Sequence, residues 1–298
     1  MVISKNWSAY DIPNLSGKTA IVTGGNKGLG YQSSLELARN GANVIISCRD
    51  VKSGLAAKDK ILAQVPNAKI DVLSLDLTCG TSIRHFSETF KQSYHRLDVL
   101  ICNAGVVNLD TYQLTAEGHE MHMATNHFGH FALTGLLLPV LLASQNSRVV
   151  VVSSMAYKGG RINYDDLNWS QRKYSTVKSY ADSKLANLLF VNRLNRFLIA
   201  KGASTIAVTA HPGLTGTERQ QSIGIGGKLA KWVASPVEKG VLSQLLAATD
   251  PQVKALDFYG PKYGLIGKPV KINLKALDKQ EAEKLWLVSE KITGVSFQ

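Results

Sequence analysis

Apolar residues in this chain come in short runs set apart by longer stretches of mixed polarity. Thr19-Ala20-Ile21-Val22 opens the series, and Asn43 to Cys48, Lys69 to Leu75, Leu97 to Cys102, Arg148 to Val152 and Thr205 to Ala210 continue it. Short runs that stay apolar instead of alternating predict strands covered on both faces. Between them, apolar positions recur at helical spacing. Helices are predicted through Leu35, Leu37 and Ala38 up to Asn40-Gly41, then to about Gln64 before Pro66, and over Thr81 to Tyr94. A long one covers roughly His119 to Ala143, and another carries Tyr180 to about Ala200, where Gly202 stops it. Pro236 to Thr249 and Asp278 to Lys291 complete the set, with Asp278 as N-cap and Glu281 three residues later. Phe258-Tyr259-Gly260 reads as a last strand. Strands alternating with helices predict an α/β fold: a doubly wound parallel sheet flanked by helices on both faces, in one domain.

Three stretches fall outside this alternation. Residues 1–17 are a polar, irregular lead-in, and 155–173 form a long polar insertion. Residues 214–235, with Gly216, Gly224, Gly226 and Gly227 and preceded by Gly213, read as a mobile lid over a substrate.

Charge changes the picture little. The chain has 298 residues and a net charge of +12. Its lysines and arginines are spread along the sequence, with no long basic block and no aromatic-basic RNA motif. That pattern argues against a nucleic-acid binder and suits attraction of a polyphosphate cofactor. Cys48, Cys79 and Cys102 are odd in number and lack metal-ligand spacing, as expected of small buried side chains in a reducing compartment. No secretory leader is apparent, and the longest apolar run, Leu133 to Ala143, is short for a bilayer and contains Pro139. A cytoplasmic protein without a membrane anchor is expected. His119, His122, His127 and His130 share one predicted helix, but their spacing is not that of a metalloprotease. They read as surface or subunit-interface histidines, and no metal is expected.

Two motifs carry chemistry. The first predicted strand ends in Thr23-Gly24-Gly25-Asn26-Lys27-Gly28-Leu29-Gly30 and opens a helix. Backbone amides and the helix dipole at such a junction favour a pyrophosphate. A glycine-rich turn that only serves tight strand–helix packing is the alternative. The second strand ends in Ser47-Cys48-Arg49-Asp50. A carboxylate there would hold a free ribose hydroxyl, and a cation a 2′-phosphate. Arg49, with Lys27 in the loop, points to NADP(H); Asp50 leaves NAD(H) open.

The second motif is Tyr180-Ala181-Asp182-Ser183-Lys184. On a helix, a spacing of four stacks the two side chains on one face. An ammonium beside a phenol favours the phenolate and tunes a proton donor. Tyr174 and Lys178 form a second such pair, but six residues turn a helix well away from the first direction. Tyr174 follows Arg172-Lys173 and reads as a solvated helix start.

Taken in order, these pieces resemble the short-chain dehydrogenase/reductase family, over nearly the whole chain. The matching residues are Thr23, Gly24, Gly28 and Gly30; Asn103-Ala104-Gly105; Asn126, Ser154, Tyr180 and Lys184; and His211-Pro212-Gly213 followed by Thr215 and Thr217. Cys48-Arg49-Asp50, Asn126 to Phe131 and Ser183 to Asn187 are most similar to its retinol-dehydrogenase-like and WW-domain-oxidoreductase-like branch. The resemblance implies a Rossmann-type domain that moves a hydride between nicotinamide and a carbonyl or alcohol. It implies Tyr180 as acid and base, and Lys184 as the group that tunes the phenol and holds the nicotinamide ribose. Ser154 would bind the substrate oxygen, with Ser153 as its rival, and Asn126 would hold a water that relays protons from Lys184. Asn26, Lys27, Leu29 and Arg49 would join the glycines around the cofactor. Asp76-Leu77 would reach the adenine, Asn103, Ala104 and Gly105 the cofactor's flank, and Pro212, Gly213, Thr215 and Thr217 the carboxamide or phosphates. The two long helices would pair with a second subunit as a homodimer. A binder of NADP(H) without chemistry is the alternative, and the substrate stays open.

Overall fold

The computed structural model describes residues 6–215 and 235–298. Seven parallel strands run in it: β1 (Thr19–Thr23), β2 (Asn43–Cys48), β3 (Lys69–Ser74), β4 (Val99–Cys102), β5 (Arg148–Val152), β6 (Ile206–Ala210) and β7 (Phe258–Pro261). Their order in the sheet is β3-β2-β1-β4-β5-β6-β7, so the winding reverses direction between β1 and β4. Ligands in open α/β sheets bind outside the carboxyl ends of the strands at such a reversal.

The helices are α1 (Gly28–Arg39), α2 (Val51–Gln64), α3 (Gly80–Ser93), α4 (Met121–Ala143), α5 (Thr176–Ala200), α6 (Val237–Gly240), α7 (Leu242–Thr249) and α8 (Lys279–Thr293). The inner strands stay apolar because each is sandwiched, whereas β3 at the sheet edge is largely open. Ala20 and Val22 of β1 pack on one side with Leu35 of α1, Ile61 of α2 and Leu246 of α7. Ile21 packs on the other with Phe86 of α3, Phe131 of α4 and Leu194 of α5.

The structure departs from expectation in four places. An antiparallel edge strand, β8 (Pro269–Lys271), follows β7; Pro-Val-Lys carries too little apolar signal to be read. The segment 236–249 is two helices, α6 and α7, not one. The long helix begins at Met121, and Ala124–Phe128 forms a π turn in which the Gly129 amide reaches back five residues to the Ala124 carbonyl. With that section included, Met121–Ala143 is long and apolar enough to cross a membrane, although 72% of its apolar window is buried inside the fold. The expectation from Leu133 to Ala143 alone was too short.

The fourth departure concerns the histidines. His122, His127 and His130 are at most 1% exposed, and only His119 is partly open. They are core residues: His127 Nε2 meets Ser289 Oγ of α8 at 2.8 Å, and His122 Nδ1 meets Glu120 Oε1 at 3.1 Å. Helical spacing could not reveal this, because α4 is covered on nearly all sides and its histidines sit among neighbours distant in sequence.

The C-terminal segment packs against both long helices, α4 and α5. Trp286 of α8 lies 5.1 Å from the Phe131 ring and 6.0 Å from the Phe190 ring, and meets the tilted ring of Phe297 at 4.4 Å. Arg193 covers the Trp286 ring at 4.8 Å while its Nε donates to Glu283 at 2.6 Å. The C-terminal segment thus covers Phe131, Phe190 and Arg193.

Burial of neutral histidines has a consequence for stability. It pushes His127 down to about 3, and His130 and His211 to about 4, from an ordinary value of about 6.5. Between those values the unfolded chain binds protons that the folded chain refuses, so stability falls as pH drops. Hydrogen bonds and cations that hold Asp98, Glu120 and Asp257 below their usual range act in the same direction in acid. Asp182, raised to about 6 mainly by burial, opposes them alone. The urea midpoint should therefore fall steadily from pH 7 toward pH 4; a midpoint that holds or rises would contradict these assignments.

Candidate active site at the carboxyl edge of the sheet

The glycine loop leaves β1 under tight constraint. Gly24 adopts φ +64°, the left-handed region that favours glycine. A methyl group at Gly30 would come 2.1 Å from the Gly24 carbonyl oxygen, so nothing larger than hydrogen fits there. Lys27 forms the N-cap of α1 without a side-chain cap, which leaves the helix's first amides without a capping side chain. Unpaired amides, a positive helix end and a loop pressed close to β4 make a cradle suited to a pyrophosphate.

Thr23 ties this loop to the end of β4. Its Oγ1 accepts from the Asn103 and Ala104 amides, each at 2.9 Å, and Asn103 Nδ2 donates to the Thr23 carbonyl at 2.8 Å. Gln244 Nε2 of α7 donates to Ser33 Oγ at 2.6 Å and to Asn103 Oδ1 at 3.3 Å, a role that no local pattern signals.

At the end of β2, Asp50 is exposed. It N-caps α2, its Oδ1 accepting from the Lys52 amide at 3.1 Å. Arg49 is exposed beside it, and among the described residues its guanidinium makes no hydrogen bond or ion pair. Asn26 Nδ2 donates to Ser53 Oγ at 2.8 Å, joining the glycine loop to the first turn of α2. Asp76 folds onto its own turn, Oδ1 accepting from the Thr78 amide and hydroxyl, and Leu77 is a core residue.

The four candidate catalytic residues converge at the ends of β4 and β5. Asn126 lies in the π turn of α4, fully buried. Its Oδ1 accepts from the Val106 amide at 2.7 Å, and its Nδ2 donates to the Val106 carbonyl at 3.0 Å and to Ser183 Oγ at 2.9 Å. Lys184 reaches the end of β5, where Nζ donates to the Val152 carbonyl at 3.1 Å. A methyl at Gly105 would stand 3.1 Å from Asn126 Oδ1 and 3.7 Å from Lys184 Nζ, so the end of β4 borders both groups.

Ser153 and Ser154 have separate tasks. Ser153 is buried, and its Oγ donates to the Lys184 carbonyl at 2.8 Å, pinning α5 to β5. Ser154 is partly open and hydrogen-bonds the Tyr180 phenol. The electrostatics differ from the expectation of a lysine-tuned phenol. Burial raises Tyr180 above its ordinary value, with the Ser154 hydrogen bond pulling the other way. Lys184 Nζ lies 5.5 Å from the Tyr180 ring centre, and burial pushes the lysine itself down to about 8. In the free protein, then, the phenol is held protonated.

Tyr174 is not a solvated helix start. Helix α5 begins after it, capped by Ser175, and the Tyr174 hydroxyl donates to Glu120 Oε1 at 3.0 Å. The insertion explains this. Arg172 stacks on Trp169 at 3.5 Å, Trp169 packs edge-on against Tyr174, and Trp169 and Asp166 are buried. His122, bonded to Glu120, presents its ring edge to Tyr180 at 5.8 Å. The polar insertion is thus a folded wall beside the phenol.

After β6, Gly213 donates its amide to His211 Nδ1 at 3.1 Å, and the Thr215 hydroxyl donates to the Pro212 carbonyl at 3.1 Å. Thr217 and most of the expected lid lie outside the described residues.

Comparison with known proteins agrees with this geometry. The family described as short chain dehydrogenase matches residues 18–226. Human retinol dehydrogenase 13 is 38% identical over 291 residues, covering 94% of this chain and 86% of its own. Human retinol dehydrogenase 12 is 38% identical over 287 residues, covering 95% and 89%. A solved structure of an uncharacterised protein from Mycobacterium paratuberculosis superposes with a TM-score of 0.83 at 38% identity, over 99% of this chain and all of that one. The NADP complex of Pseudomonas aeruginosa RhlG shares the fold, with a TM-score of 0.67 at 22% identity over 83% of this chain and 95% of its own. The family uses a nicotinamide cofactor to interconvert CH–OH and C=O groups. The chain belongs to the short-chain dehydrogenase family, with retinol-dehydrogenase-like character.

Proposed function

We propose that this protein is an NADP(H)-dependent oxidoreductase of an apolar carbonyl or alcohol, with Tyr180 as its general acid and base. The observation that carries the reading is the convergence of Tyr180, Ser154, Lys184 and Asn126 at the sheet edge, beside a phosphate cradle. When bound, the nicotinamide exchanges a hydride with the substrate's carbonyl carbon. Tyr180 gives its proton to the carbonyl oxygen as negative charge builds there, and takes it back in oxidation. Ser154 donates a hydrogen bond to the same oxygen. Lys184, anchored on Val152, holds the nicotinamide ribose and supplies a positive charge that offsets the phenolate left when the phenol gives up its proton. The Asn126 carbonyl holds the water through which Lys184 recovers a proton. Thr23, Gly24, Gly28, Leu29 and Gly30 cradle the pyrophosphate, and Asn103, Ala104, Gly105, Pro212, Gly213 and Thr215 flank the nicotinamide half.

Arg49 and Lys27 support NADP(H) over NAD(H), because the competing Asp50 carboxylate is engaged as the α2 cap. The names of the retinol dehydrogenase relatives support a long apolar alcohol or aldehyde as substrate class. A panel of aldehydes and ketones, followed by loss of nicotinamide absorbance, tests the reading. Turnover with NADPH on apolar members is expected. Tight NADPH binding with no turnover across the panel would leave a nucleotide-binding protein without this chemistry.

A further inference from the structure

We propose that His130 is a positioning residue of the active site, bridging Thr23 under the cofactor to the backbone carbonyl of Asn126. The inference rests on the functional reading above for its effect on turnover, but its geometry stands alone. His130 Nε2 lies 2.9 Å from Thr23 Oγ1, and Nδ1 lies 3.1 Å from the Asn126 carbonyl oxygen. The side chain is 1% exposed, so neither contact competes with bulk water.

Hydrogen-bond arithmetic fixes the protons. The Asn126 carbonyl can only accept, so Nδ1 must carry hydrogen. Thr23 Oγ1 already accepts from the Asn103 and Ala104 amides, which uses both lone pairs of a hydroxyl. Its own proton is left to give, and the Ile101 carbonyl at 3.3 Å is a longer partner than His130 Nε2 at 2.9 Å. His130 is therefore neutral, with hydrogen on Nδ1 and an accepting Nε2. The opposite tautomer would set two lone pairs against each other at Asn126 and give Thr23 a third donor. Lys184 nearby and the surrounding burial both oppose a charged imidazole.

The bridge joins two halves of the site. Thr23 fixes the ends of β1 and β4, where the cofactor rests, and Asn126 sits in a π turn whose carbonyls depart from regular helix bonding. By orienting the Asn126 carbonyl, His130 aims the acceptor that the Lys184 relay needs, and ties that aim to the cofactor floor. A phenylalanine at 130 would keep the shape and lose both bonds.

Two measurements test this. Nitrogen-15 NMR of the free protein should show His130 with hydrogen on Nδ1 and none on Nε2 at neutral pH; the reverse tautomer, or a charged ring, would overturn the bridge whatever the enzyme does. In kinetics, His130→Phe should lower kcat about tenfold or more while NADPH affinity shifts less than about threefold. Thr23→Val combined with it should be no slower than the slower single variant, as expected of two residues acting through one bridge. A folded His130→Phe protein with unchanged kcat, or fully additive losses in the double variant, would also overturn it. An inactive wild-type protein would refute the functional reading and leave the tautomer assignment to the NMR result.

Discussion

Replacing Tyr180 with phenylalanine should reduce carbonyl turnover by about 10³-fold or more, within the range that a positioned general acid supplies. The loss corresponds to about 4 kcal/mol of barrier. Phenylalanine keeps the ring that His122 meets edge-on and removes only the hydroxyl held by Ser154. The fold and the phosphate cradle lie outside that change, so NADPH affinity should stay near the wild-type value. Fluorescence titration with NADPH and steady-state rates on one good substrate separate the two quantities. Loss of both together would mean that the variant had damaged the scaffold and not only the chemistry.

The second large effect is expected at the cofactor's other end. Arg49→Glu should weaken NADPH binding about tenfold or more and spare NADH, reversing or erasing the preference. A hydrogen bond to a charged group is worth about 1.5–3 kcal/mol, and the exposure of Arg49 places it at the low end of that range. Glutamate adds repulsion of a 2′-phosphate and offers a carboxylate to a free ribose. Asp50 is already partly engaged as the cap of α2. Equal weakening of both nucleotides, or no change in either, would remove Arg49 from the site.

How far the sequence could be read depends on the range of each interaction. Local periodicity located the seven parallel strands within a residue or two, because the inner strands, buried on both faces, leave a near-continuous apolar run. The glycine loop and the Tyr180–Lys184 pair were legible for a similar reason: each needs residues close together in the chain. What escaped depends on contacts between distant segments. No spacing rule says that Ser153 bonds the Lys184 carbonyl, or that Asp50 is engaged as a cap. His130 looked like a surface residue because its partners, Thr23 and the π-turn carbonyl of Asn126, come together only in the fold. Tyr174 looked solvated because the wall that buries it, Trp169 and Arg172, comes from a segment with no apolar pattern. Even the Tyr180–Lys184 pair was legible in its helical spacing and only incompletely in its physics. The spacing of four holds, yet in the free protein burial, opposed only by the Ser154 hydrogen bond, raises the phenol above its ordinary value and keeps it protonated.

That last point gives the central claim a sign. A phenol held protonated is ready to serve reduction across neutral pH, whereas oxidation needs it deprotonated. The most direct measurement is single-turnover alcohol oxidation with saturating NADP⁺, followed against pH in the wild type and in Tyr180→Phe. The rate in the wild type should climb about tenfold per pH unit below the phenol's pKa, and the variant should be slow and flat. A variant that keeps the wild-type rate and slope would show that the proton passes through some other group.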